Sequence, residues 1–133
     1  MGVNNDDWAE FVARAEGLDP RPEEASLYAL WRYHGQVCNG GHHQYFWNLH
    51  DQTDDWERAV GAAAEIGCAD IADLLKAAIA VWRGKPRNPG PNAMAFLASS
   101  REGEFDEFDD LFAAREAALE AAMRAAAAPA KEA

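Results

Sequence analysis

Apolar residues recur at every third or fourth position along most of the chain, the spacing that places side chains on one face of an α-helix. The clearest stripe follows Asp70, where Ile71, Leu74, Ala78 and Trp82 share one face. Runs of β-branched residues with strand-like alternation are absent. The pattern and its Gly and Pro breaks predict helices near residues 6–17, 22–37, 42–49, 53–66, 70–82, 92–97 and 104–127.

These helices predict an all-α fold, a compact single-domain bundle of about six or seven helices. The domain is expected to span residues 1–128, with residues 129–133 as a disordered tail. The length of 133 residues and the hydrophobic share of 49% allow one core to form without disulfides or a structural metal. Cys38 and Cys68 stand singly, with no CxxC spacing, so we expect free thiols and a reducing compartment.

The sequence also gives an expectation for cellular location. No apolar run approaches the roughly 20 residues that a bilayer-spanning helix needs. The first residues lack the basic and apolar regions of a secretory signal. Both observations predict a cytoplasmic protein without a membrane partner.

The chain is strongly acidic, because 23 Asp and Glu stand against 12 Lys and Arg and give a formal net charge of -11. Phosphate groups would be repelled, so direct nucleic-acid binding is not expected. In the densest acidic run, Phe105, Phe108 and Phe112 have core spacing, and the carboxylates are expected to point outward. Such a run is either a solvated helix face or an acidic interaction surface whose carboxylates replace duplex phosphates. The residues of that predicted acidic surface are Glu102, Asp106, Glu107, Asp109 and Asp110.

Four histidines and a cysteine lie close together in the sequence and raise a metal hypothesis: His34, Cys38, His42, His43 and His50. Their spacing does not match structural zinc sites, and HExxH is absent. His34 and Cys38 could form a base and a nucleophile, but no third orienting group is evident, so core packing is preferred. GxSxG, GxxxxGK[ST] and GxGxxG are also absent. The sequence therefore predicts no catalytic residue, metal or cofactor, and a protein that is not an enzyme.

Residues 39–48 read Asn-Gly-Gly-His-His-Gln-Tyr-Phe-Trp-Asn, a glycine pair between two predicted helices. Asn39 and Gly40 can adopt the left-handed conformation that ends a helix. The free N–H groups beyond Gly41 could bind an anion. The preferred alternative is a tight corner between helices, in which Gln44 and Asn48 bind loop backbone. We predict that Tyr45 and Phe46 are buried there and that Gly40 or Gly41 has a positive φ.

This segment resembles the NGG-F-x-QYF-x-N motif of the mostly bacterial domain of unknown function 4375 family, which includes an acidic, helical DNA-mimic protein. The likeness extends from residues 27–31 through 63–67 to 105–112. His42 stands where the family has Phe. The resemblance assigns no role to the matching positions, which are Asn39, Gly40, Gly41, Gln44, Tyr45, Phe46 and Asn48.

Residues and resemblance together indicate an acidic protein-binding module. The resemblance implies a DNA mimic that sequesters a basic DNA-binding protein, and a toxin-immunity protein would use the same electrostatics. The alternative from another class is a small metal-binding or hydrolytic domain that uses the His and Cys cluster. The expected partner is a basic protein, and a homodimer is compatible with the sequence.

Overall fold

The computed structural model describes residues 5–100 and 102–127. A short 3-10 helix at Pro22–Glu24 precedes the second α-helix. No strand occurs within these ranges, so the all-α prediction is confirmed. The predicted tail at 129–133 lies outside them. The α-helices are α1 (Asn5–Glu16), α2 (Ala25–Asn48), α3 (Thr53–Glu65), α4 (Ala69–Arg83), α5 (Ala93–Ser100) and α6 (Asp106–Ala127).

Four helices enclose the core. Helix α2 packs against α3 and α6, α4 packs against α3 and α6, and α1 lies on α6. The apolar stripe of α4 is buried as predicted, including Ile71, Leu75 and Trp82. None of the described helices has the combination of length and apolar character that a membrane crossing requires.

The glycine pair bends a helix rather than separating two by a loop. The sequence predicts helices at 22–37 and 42–49, with Asn39 and Gly40 ending the first. In the structure α2 continues through both residues and departs from helical geometry at Gly41 alone, with φ 81° and ψ -180°. This backbone region is essentially restricted to glycine, so the kink requires glycine at position 41.

The start of α6 also differs from the prediction. The amphipathic pattern places it near residue 104, whereas the helix begins at Asp106. Gly103 has a φ of 68° just before it, which breaks the helical path. The Asp106 N–H donates a hydrogen bond to the Gly103 carbonyl oxygen over 3.2 Å and closes the turn.

Candidate functional site

The carboxylate of Asp109 on α6 sits against the kink of α2. Its Oδ1 accepts hydrogen bonds from the backbone N–H of His42 over 2.8 Å and from His42 Nδ1 over 2.7 Å. A Cβ placed on Gly41 would lie 2.5 Å from Asp109 Oδ2. Asp109 therefore satisfies the first free N–H after the kink, a position where the sequence also allowed an external anion.

A buried hydrogen-bonded chain extends from this contact into the core. Since a carboxylate only accepts hydrogen bonds, His42 donates from Nδ1, and its Nε2 lies 2.7 Å from the Tyr33 hydroxyl oxygen. Burial raises the pKa of Tyr33, with further contributions from Tyr45 and Asp109, so the phenol stays protonated. His42 and Tyr33 are both fully buried, whereas the Asp109 side chain at the outer end of these hydrogen bonds is partly exposed.

His42 occupies an aromatic environment. Its ring contacts those of Tyr33, Phe105, Phe108 and Phe112, with centroids 5.4 to 6.4 Å apart. The imidazole packs as an aromatic ring would, and both of its nitrogens have partners. Burial of this polar ring is thus compensated by hydrogen bonds.

The amide side chains of the motif bridge the two halves of α2. Gln36 Oε1 accepts hydrogen bonds from Gln44 Nε2 over 2.9 Å and from Asn48 Nδ2 over 3.0 Å. A Cβ on Gly40 would overlap with Gln44 Oε1, so glycine lets that side chain fold back over the helix. The prediction that Gln44 and Asn48 bind loop backbone is wrong. Their acceptor is Gln36, which the sequence did not single out because the kink changes the helical phase between them.

The aromatic residues of the motif belong to the core. Tyr45 and Phe46 are fully buried and Gly41 has a positive φ, so these two predictions for the segment are confirmed. Burial raises the pKa of Tyr45. The Trp47 indole N–H donates to the Gly90 carbonyl oxygen over 2.8 Å. Most of the motif residues thus build the kink and its packing, whereas Asn39 and Asn48 are exposed.

The predicted His and Cys cluster separates into distinct places. His42 belongs to the buried chain. His43 Nε2 lies 2.8 Å from Ser99 Oγ, and burial lowers the pKa of His43. His50 is exposed, and its Nδ1 lies 3.1 Å from the Trp47 carbonyl oxygen.

His34 and Cys38 stay together and gain a partner from α6. His34 Nε2 lies 2.8 Å from Glu116 Oε2 and 3.7 Å from Cys38 Sγ. Burial raises the pKa of the Cys38 thiol, and the charges of Glu116 and Glu120 add to this. Glu116 was not singled out from the sequence, since 82 positions separate it from His34.

The predicted acidic surface is only partly an open surface. Asp106, Glu107 and Asp110 are exposed, and within the described ranges no Lys or Arg forms a salt bridge with them. Glu102 is exposed but forms an ion pair with Lys85. The expectation that all these carboxylates point outward is wrong for Asp109, because the free N–H groups of His42 draw it inward.

Comparison with known proteins gives one match. The model of a family described as DMP19-like protein, a family of unknown function, matches residues 4–130. No curated protein and no solved structure matches. The match indicates no enzymatic family, and the narrower name that the motif suggested stays a prediction.

Proposed function

The chain belongs to the DMP19-like protein family, and we propose that it is a non-enzymatic module that binds a basic protein through the start of α6. The binding residues are Asp106, Glu107 and Asp110, called here the α6 acidic patch. The partner is a basic DNA-binding protein, for which the patch takes the place of the nucleic-acid phosphates. The DNA-mimic part of this proposal is supported by the resemblance of residues 39–48, and the patch itself by its exposure.

The observation that carries the proposal is the uncompensated charge of the patch. Most Lys and Arg side chains in the described ranges already form salt bridges with carboxylates elsewhere, such as Arg115 with Asp70 over 2.6 Å. Asp110 lies three positions after Glu107 and four after Asp106 on one helix, so its carboxylate repels both of theirs. The N-terminal end of the helix dipole offsets part of that repulsion in the free protein. A basic partner would relieve the rest, so the patch is suited to binding.

The α6 acidic patch borders an apolar groove that could contribute contact area. The groove has a volume of about 340 Å³ and lies between α4 and α6, where Leu74, Phe108 and Leu111 line it. Leu111 is 41% exposed, a high value for a large apolar side chain. A partner that places basic side chains on the carboxylates would therefore also find apolar surface beside them.

Neutralising the patch tests the proposal. A first variant carries Asp106→Asn, Glu107→Gln and Asp110→Asn. A matched control removes three exposed carboxylates on and beside α3, and it therefore has the same net charge as the first variant. Its substitutions are Asp51→Asn, Asp54→Asn and Glu65→Gln.

A partner captured from the source cell with the natural chain supplies the assay. We expect the patch variant to associate more slowly than the control, and the difference to shrink as salt is added. DNA should displace the natural chain from the partner. Equal binding by the two variants would overturn the assignment of the patch. If the partner is basic but DNA does not displace the natural chain from it, the assignment of the binding surface stands and the DNA-mimic part is overturned. That result is the one expected of a toxin-immunity protein.

A further inference from the structure

Three metal-ligating side chains meet where α2 and α6 pack together. The imidazole of His34, the thiol of Cys38 and the carboxylate of Glu116 each offer one ligand atom, and these atoms lie within 4.8 Å of one another. His34 and Cys38 are one helical turn apart and share a face of α2. Glu116 faces them from α6, with its Oε2 2.8 Å from His34 Nε2. The sequence hypothesis of a His and Cys site thus reduces to two of its five residues and acquires a new one.

We propose that His34, Cys38 and Glu116 bind one zinc ion, with water as the fourth ligand. Nitrogen, sulfur and oxygen donors are the set that zinc uses in proteins, whereas magnesium and calcium require oxygen ligands. Tetrahedral zinc holds neighbouring ligand atoms about 3.3 to 3.7 Å apart, given its bond lengths of about 2.0 to 2.3 Å. The distance of 3.7 Å from Cys38 Sγ to His34 Nε2 already fits. To bind zinc, the side chains of His34 and Glu116 would move slightly apart, and each would bond the ion in place of their hydrogen bond.

The surroundings of the three ligands provide space and balanced charge. A cavity of about 280 Å³, lined in part by Val37, Cys38, Phe112 and Glu116, borders the ligands and leaves room for a water. A thiolate and a carboxylate together neutralise the two positive charges of zinc. Cys38 is exposed, and His34 and Glu116 are half-buried, so an ion can enter without unfolding the helices.

Three protein ligands at the surface predict a weak site that fills when zinc is supplied. The protein as isolated should carry less than one equivalent, and titration with zinc should bring it to one. Zinc would connect α2 to α6 and bind the folded state alone. The midpoint of thermal unfolding should therefore rise with zinc concentration.

A titration tests this inference. Cobalt is added to the untagged, chelator-treated full chain, and zinc is added afterwards. Cobalt should give a thiolate charge-transfer band that saturates at one equivalent and disappears when zinc is added. Cys38→Ser should abolish the band, and Glu116→Gln should weaken binding about tenfold or more. Cys68→Ser is the matched control, because it removes the other thiol of the chain and should leave the titration unchanged. His50→Ala is a second control for the exposed histidine.

Alkylation of Cys38 by iodoacetamide, followed by mass spectrometry, gives an independent readout. Zinc should slow the alkylation of Cys38 in the natural chain but not in Glu116→Gln. Absence of a saturable cobalt band, or a band that survives Cys38→Ser, would overturn the inference. Equal alkylation rates with and without zinc would do the same. Circular dichroism of each variant shows whether the helices are intact.

Discussion

Because α2 is kinked at Gly41, we expect the addition of a methyl group there to lower the stability of the fold strongly. Its φ of 81° and ψ of -180° belong to a backbone region that is essentially restricted to glycine. The new Cβ of Gly41→Ala would also lie 2.5 Å from Asp109 Oδ2. Because two hydrogen bonds from His42 hold that carboxylate, it cannot move away without losing them.

The expected loss of stability follows from these two effects. Backbone strain of this type costs about 1 to 3 kcal/mol. Displacing Asp109 would leave buried donors of His42 without an acceptor, which costs about 1 to 3 kcal/mol more. We therefore expect Gly41→Ala to lower the free energy of unfolding by about 2 to 6 kcal/mol. That is a large part of the roughly 5 to 15 kcal/mol that holds a typical domain folded.

Urea unfolding followed by far-ultraviolet circular dichroism measures this change, provided that the slope m stays the same. Gly35→Ala is the matched control in the same helix. Nothing lies within 4 Å of a Cβ at that position, so Ala should raise stability by about 0.5 to 1 kcal/mol. Gly40→Ala should fall between the two, because the obstacle there is the movable end of the Gln44 side chain.

A double-mutant cycle separates the strain at Gly41 from its collision with Asp109. In the Asp109→Ala background the collision is absent, so Gly41→Ala should cost only the backbone strain and the two effects should not add. A loss below about 0.5 kcal/mol for Gly41→Ala in the natural background would refute the reasoning, since that is the range of neutral surface substitutions.

Three further predictions concern the residues around the kink. Asp109→Ala should lower the free energy of unfolding, measured in urea, by about 2 to 4 kcal/mol, because two donors of His42 lose their acceptor. Asp109→Asn should lower it by less than half as much. His42→Phe should lower the free energy of unfolding by about 1 to 3 kcal/mol, because the buried Tyr33 hydroxyl loses its partner. Adding Tyr33→Phe should recover most of that loss, and no recovery would contradict the hydrogen bond. Burial lowers the pKa of His43, so the unfolded chain takes up a proton first as the pH falls below about 6.5, and stability should decrease there. His43→Phe should reduce this slope in urea unfolding measured between about pH 7 and 5.

The acidic residues of α6 have two roles, folding and binding, so the variants that test the α6 acidic patch must leave Asp109 unchanged. Asp109 lies between patch residues in the sequence, yet its carboxylate stabilises the fold. A variant that includes Asp109 would lower binding and stability together. Asp106, Glu107 and Asp110 are exposed, so their neutralisation changes the surface charge with little effect on the core.

The sequence by itself determined the helices, the core stripes, the acidic charge and the need for a glycine at the kink. These features depend on residues within a few turns of one another, where the 3.6-residue period fixes which side chains share a face. The burial of Tyr45 and Phe46 followed from the same local pattern.

Only the tertiary structure decided which faces meet. The contact of His42 with Asp109 joins residues 67 positions apart, and that of His34 with Glu116 joins residues 82 apart. A helical period specifies the direction of a side chain around its own axis, but not the height or angle at which another helix packs against it. The kink at Gly41 also resets the phase of α2, so Gln36 could not be placed beside Gln44 by counting turns. For that reason the sequence indicated the components of both sites, and the packing of α6 on α2 determined which of them come together.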